Sequence, residues 1–128
     1  MACWGRPSHG RARALILAAA LLLAPPPAAR AHSFPDHADP RVGASISTSP
    51  AEVRIWFDGE IEPVYSTIRV ENENKQRIDR GDGGVSPQDN RVLTVRIPPL
   101  VPGKYRVYWS VVARDGHRTE GDYSFKVK

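Results

Sequence analysis

Residues 102–111, Pro-Gly-Lys-Tyr-Arg-Val-Tyr-Trp-Ser-Val, decide the fold class. Pro102-Gly103 is a strong turn signal. After it Tyr105, Val107, Trp109 and Val111 fall on one face, with Arg106, Tyr108 and Ser110 on the other. A period of two marks a half-buried strand, because successive side chains of a strand point to opposite faces. The period recurs on both sides. Downstream, Tyr123, Phe125 and Val127 make a last strand. Upstream, Leu93, Val95 and Ile97 alternate with Thr94 and Arg96 until Pro98-Pro99 ends the run. Ser66, Ile68 and Val70 alternate with Thr67, Arg69 and Glu71, and Val53, Ile55 and Phe57 with Glu52, Arg54 and Trp56.

Between these runs the chain is punctuated. Asp58-Gly59-Glu60 interrupts one strand, and Asn72–Lys75 reads as a turn. Gly81–Asn90 is a loop rich in Gly, Asp and Pro, and Gln76–Asp79 is a short strand at best. Ser45–Thr48 is a short strand, and His32–Gly43, with Pro35 and Pro40, an extended arm. Residues 32–128 show no helical stretch and no repeat. Short strands with frequent turns predict an all-β, immunoglobulin-like Greek-key β-sandwich or barrel of about seven strands. Its expected core is Val53, Ile55, Phe57, Ile68, Val70, Leu93, Val95, Ile97, Val107, Trp109, Phe125 and Val127.

The first 31 residues read differently. Arg6, Arg11 and Arg13 precede an apolar run, Ala14–Ala24, which Pro25-Pro26-Pro27 closes. Ala29-Arg30-Ala31 then sets small residues at −3 and −1 of a cut before His32, the pattern of a cleaved secretory signal. The run is short for a bilayer span. The expected organisation is a signal peptide over 1–31 and one domain over 32–128. Charge supports the division. The chain carries 18 Lys and Arg against 14 Asp and Glu, and four of the basic residues but none of the acidic ones lie in 1–31. The remaining domain is formally neutral, which removes the electrostatic case for a nucleic-acid partner. Cys3 and Met1 are the only residues of their kinds, so the domain has neither disulfide nor sulfur ligand.

Cleavage before His32 would create a terminal histidine whose α-amine and imidazole can close a chelate ring on one metal ion. The α-amine titrates near pH 8, so a metal displaces its proton far more readily than a lysine's. Two other histidines stand in the domain, His37 and His117. His117 follows Asp115-Gly116. If that segment is extended, Asp115 and His117 share a side; if it is an ordinary Asp-Gly hairpin turn, the histidine is simply exposed.

Taken together the domain resembles the CopC-type periplasmic copper-binding proteins. The resemblance rests on His32, Asp39-Pro40, Gly43, Ser49-Pro50-Ala51 and Val53-x-Ile55-x-Phe57 in the first half. In the second half it rests on Pro99-Leu100-x-Pro102-Gly103-x-Tyr105-x-Val107-x-Trp109, then Asp115-Gly116-His117, then Gly121-x-Tyr123-x-Phe125-x-Val127. It implies a Greek-key fold and one Cu(II) held by the α-amine and imidazole of His32 with Asp115 and His117, a nitrogen-dominated set that suits Cu(II). One subset of the family adds an acidic ligand where this chain has Gly59; Asp58 and Glu60 flank that position, and His37 lies five residues beyond the terminus. A methionine-rich Cu(I) site is not expected, since no methionine follows Met1.

The function this implies is an exported, monomeric, non-enzymatic copper binder of the periplasm. It would sequester copper or deliver it, with an inner-membrane copper transporter as partner. Two other classes fit the same features. A copper oxidase or monooxygenase also uses an N-terminal histidine chelate, although Asp115 would occupy coordination space that oxygen needs. A metal-free adhesion or assembly module is the third, because such sandwiches host many functions.

Overall fold

The structure is a computed structural model that describes residues 2–5 and 33–128. The signal segment, its cleavage point and His32 lie outside the described domain residues. Eight strands form: β1 (Pro35–Asp39), β2 (Ser45–Ile46), β3 (Glu52–Phe57), β4 (Thr67–Glu71), β5 (Gly84–Val85), β6 (Val92–Arg96), β7 (Gly103–Val112) and β8 (Arg118–Val127). They make two four-stranded sheets, ordered β1-β3-β6-β5 and β2-β8-β7-β4. Pairing is antiparallel except for β2 beside β8. The fold is the expected β-sandwich.

Alternation places the core as read. Val53, Ile55 and Phe57 of β3 are buried, and so are Ile68 and Val70 of β4, Leu93 and Val95 of β6, Val107 of β7, and Phe125 and Val127 of β8. Ile61, Tyr105, Val111 and Tyr123 join them. Trp109 is only half-buried. Its indole packs edge-on against Phe57, 5.3 Å between centroids, at the edge of the core.

Four segments depart from their expected form. The supposed arm contains β1, which pairs with β3 from Pro35↔Phe57 to Asp39↔Arg54. Its burial pattern has only Ala38 half-covered, so backbone pairing and not hydrophobic period makes it a strand. The last strand starts at Arg118, five residues before Tyr123, because it pairs β7 along its whole length. The Gly81–Asn90 loop holds β5. There Gly83 is backed against the other sheet: a Cβ on it would stand 2.5 Å from the Ile68 carbonyl oxygen. The Pro63–Tyr65 segment winds into one 3₁₀ turn.

Gln76–Asp79 is not a strand; it meets β4 through one bridge, Glu71↔Arg77. What holds it is Asp79, whose side chain is fully buried. Its carboxylate accepts from the backbone N–H of Val70 (2.9 Å) and of Gly81 (2.8 Å), and from Arg77 Nε. Burial opposes ionisation, but the Arg77 guanidinium and the two N–H groups prevail and hold this carboxyl below its ordinary value. A depressed folded-state pKa stabilises above the unfolded-state value and is lost as pH falls through the folded one. Asp79→Ala should therefore cost about 1–3 kcal/mol at neutral pH, chiefly by stranding the sheltered N–H of Val70. The deficit should shrink in acid, as chemical denaturation across pH will read.

Candidate metal centre

The β7–β8 hairpin is the longest ladder in the molecule, ten residues on each strand, in register from Gly103↔Val127 to Val112↔Arg118. Its tip closes with two backbone bonds: Ala113 N–H donates to the His117 carbonyl and Gly116 N–H to the Ala113 carbonyl, both 2.9 Å. This is the three-residue hairpin loop whose last position is left-handed. Gly116 occupies that position at φ 87°, where a residue with a Cβ is strained.

The loop brings the two expected ligands together. Asp115 Oδ1 accepts from the His117 backbone N–H at 3.0 Å, a local bond of the kind aspartate forms in turns. Its Oδ2 lies 2.7 Å from His117 Nδ1. An ionised carboxylate only accepts, so Nδ1 carries the proton in this contact. The imidazole is 62% exposed and the carboxylate 27%. The turn reading and the convergence reading of Asp115-Gly116-His117 are thus both met: the segment is a hairpin turn, and the turn itself supplies the meeting.

The start of the described domain is tied to the same end of the sandwich. Thr119, on β8, stands two residues after His117, and its Oγ1 donates to the Ser33 carbonyl at 2.8 Å. Ser33 is 2% exposed, and its Oγ donates to the Glu60 carbonyl at 3.1 Å. Phe34 N–H donates to Asp58 Oδ1 (2.8 Å), and Asp58 N–H returns a bond to the Phe34 carbonyl (2.9 Å). Glu60 in turn pairs with Arg114 of the hairpin loop, and Ile61 bridges to Ala113.

These contacts account for the neighbouring acidic residues. Asp58 holds the backbone of Phe34, and Glu60 holds Arg114. Gly59 has no room for a side chain, since a Cβ there would sit 2.8 Å from Ser33 Oγ. His37 belongs to another surface: its ring stacks on Trp56 of β3, 4.4 Å between centroids, and its Nδ1 meets Asp36 Oδ2 at 2.9 Å. Among the described residues no group of three or more His, Cys, Asp or Glu is arranged to hold a metal. Asp115 and His117 therefore meet as a pair, not as part of a larger cluster among the described residues. His32 lies outside the described residues. Ser33 and Thr119 were not singled out in the sequence, although Thr119 sits at the period-two spacing from His117.

A β-sandwich with an exposed carboxylate–imidazole pair on its longest hairpin is the class of molecule this geometry defines. The chain belongs to the CopC family, whose domain matches residues 36–128, a span that includes Asp115 and His117. CopC-family proteins bind copper, and the chain's role is a copper-related one. It is 32% identical over 103 residues to Protein YobA of Escherichia coli strain K12, covering 80% of this chain and 83% of that one. It is 28% identical over 98 residues to Copper transport protein CutJ of Bacillus subtilis strain 168, covering 76% of this chain but 18% of CutJ. Among solved structures, CopC from Methylosinus trichosporium OB3b superposes with a TM-score of 0.67 at 33% identity, covering 76% of this chain and 94% of that one. The methionine-rich copper resistance protein PcoC of Escherichia coli shares the fold, with a TM-score of 0.65 at 23% identity over 77% of this chain and all of that one.

The hairpin tip makes its own prediction. Gly116→Ala should destabilise the domain by about 1–3 kcal/mol, the range for a non-glycine residue in a left-handed position. Gly116→Asn should cost less, because asparagine tolerates that conformation. Thermal melting of both variants tests the ranking.

Proposed function

We propose that the chain is exported to the periplasm, is cleaved between Ala31 and His32, and there binds one Cu(II) through the α-amine and imidazole of His32 together with Asp115 and His117. It works as a monomeric copper carrier or buffer in copper homeostasis and resistance, not as an enzyme. The observation that carries this reading is the pairing of Asp115 and His117 at the end of the sandwich where Ser33, the residue joined to His32, is anchored.

The chemistry supports it. Two ligands about 2.0 Å from a metal and about 90° apart stand about 2.8 Å from each other. The 2.7 Å between Asp115 Oδ2 and His117 Nδ1 matches that bite. Binding at Nδ1 moves that nitrogen's proton to Nε2, and the α-ammonium of His32 must give up a proton to ligate, so proton release from the amine accompanies uptake. His32 adds the other two donors as a chelate, which completes a tetragonal set of three nitrogens and one oxygen. Such a set suits Cu(II). A carboxylate in the fourth position also leaves less open coordination for oxygen chemistry, which favours a carrier over an oxidase.

Copper leaves or enters by exchange with a partner. CutJ is named a copper transport protein, and this chain matches only 18% of its length. In that relative a domain like this one is part of a much longer polypeptide. An inner-membrane copper transporter is accordingly the partner proposed here.

Three measurements test the reading. An unprocessed chain, or one with an extra residue before His32, lacks the terminal chelate and should bind Cu(II) orders of magnitude more weakly with its fold intact. Equal affinities for the extended and processed forms would remove His32 from the site. Cu(II) should be held more tightly than Cu(I), because Met1 is the sole methionine and Cys3 the sole cysteine; competition titrations with chelators of each oxidation state decide this. His117→Ala should leave the melting temperature of the metal-free protein near that of wild type, since the side chain is exposed. It should abolish the rise that excess Cu(II) produces in the wild type. Retention of the full rise in His117→Ala would mean that this hairpin is a turn and nothing more.

A further inference from the structure

The bonds that anchor Ser33 lead beyond the ligand set. We infer that Thr119 is the positioning residue of the metal centre: its hydroxyl, by donating to the Ser33 carbonyl, sets how far the N-terminal donors stand from His117. The inference rests on the copper reading above and adds to it a residue that touches no metal.

Thr119 is the second residue of β8, and His117, two positions before it, closes the hairpin loop with its carbonyl bonded to the Ala113 N–H. Ser33 O is held 2.8 Å from Thr119 Oγ1. One hydrogen bond therefore links the strand that follows the Asp115–His117 loop to the residue that follows His32. The remaining contacts of Ser33 control its orientation. Its hydroxyl is tied to the Glu60 carbonyl, and its side chain fills the space over Gly59. Phe34 is tied at both backbone groups to Asp58. With Ser33 almost fully buried, the arm is ordered before any ion arrives, so binding need not order it.

Threonine suits the position for two reasons. Its branched β-carbon is stiff in a strand, so the hydroxyl points in one direction. Valine has the same shape without the donor, so Thr119→Val removes the bond alone. It leaves the Ser33 carbonyl unmatched and lets the arm move relative to His117. Partners behind a metal ligand are worth 10- to 100-fold in metal affinity.

The test compares processed wild type, Thr119→Val and Thr119→Ser, each with its N-terminus verified by mass. Cu(II) affinity from chelator competition should fall about 10- to 100-fold in Thr119→Val. Thr119→Ser, which keeps the hydroxyl, should recover most of the loss. The Cu(II) electron paramagnetic resonance spectrum should be a single species in wild type and Thr119→Ser but a mixture in Thr119→Val. In the metal-free protein, hydrogen exchange at the Phe34 amide should speed up in Thr119→Val while the β7–β8 ladder stays protected. Wild-type affinity and a single spectrum in Thr119→Val overturn the inference, and so does an affinity loss that serine fails to restore. If the wild type itself takes up no Cu(II), the copper reading falls and this role with it. If all three proteins bind tightly and alike, only the role of Thr119 falls.

Discussion

The ten-residue antiparallel ladder between β7 and β8 is the constraint on which the rest of the molecule depends. Toward Gly103 and Val127 its inner face carries Tyr105, Val107, Phe125 and Val127, which pack against β3 and β6 of the other sheet. Toward Val112 and Arg118 the inner face of β7 stays apolar through Val111, while that of β8 turns polar at Thr119, and His117 follows in the loop. A strand cannot rotate one end without rotating the other, because a slip of one residue exchanges its two faces. Burial of the aromatic end thus fixes which way the Thr119 hydroxyl points at the far end. Gly121 is the transition, lying under the Trp109 indole where a Cβ would meet the ring at 2.7 Å.

At that far end the chain replaces apolar packing with hydrogen bonds. Ser33, Phe34, Asp58, Glu60 and Arg114 come from three separate segments, and each is held by backbone or carboxylate contacts. Each such bond is a net gain of about 0.5–1.5 kcal/mol, far less than the burial of a large side chain. Their value is geometric. They place a buried serine against a glycine and so define where the N-terminal segment enters the sandwich. Asp115 at the hairpin and Asp79 beneath β4, like Asn72 and Asp89 in their turns, use the same device to fix irregular chain where no ladder is available.

How much of this the sequence could tell follows from the same division. Val53, Ile55, Phe57, Leu93, Val95 and Val107 were legible because a regular period of two fits a strand with one buried face and does not fit a helix. β1 was not, since Pro35–Asp39 is an edge strand with a polar pattern, and its partner β3 is some twenty residues away. The first half of β8 was hidden because its inner face is filled by Thr119 and Gly121, which serve the arm and the Trp109 ring instead of the core. Asp115 and His117 could be picked out by spacing, but whether they met depended on Gly116 accepting φ 87°. The supporting hydroxyls of Ser33 and Thr119 gave no signal, because Thr119's meets its partner across 86 residues and Ser33's across 27.

The exposure of the Asp115–His117 pair and the core's independence of it would belong together in the copper carrier proposed above. Small metal-dependent domains such as zinc fingers use the ion to fold, and removing it unfolds them. This domain has an apolar core of its own, in which Val53, Val70, Leu93, Val107 and Val111 are fully buried, and the Asp115–His117 pair is at its rim. Loss of the ion therefore leaves the scaffold, the hairpin and the arm anchor in place. The imidazole is 62% exposed, so the donor groups of a partner can approach a bound ion before all of its first ligands have left. A carrier needs that combination: ligands held ready by the protein's own bonds, for tight capture, and an open side, so that capture is reversible by exchange.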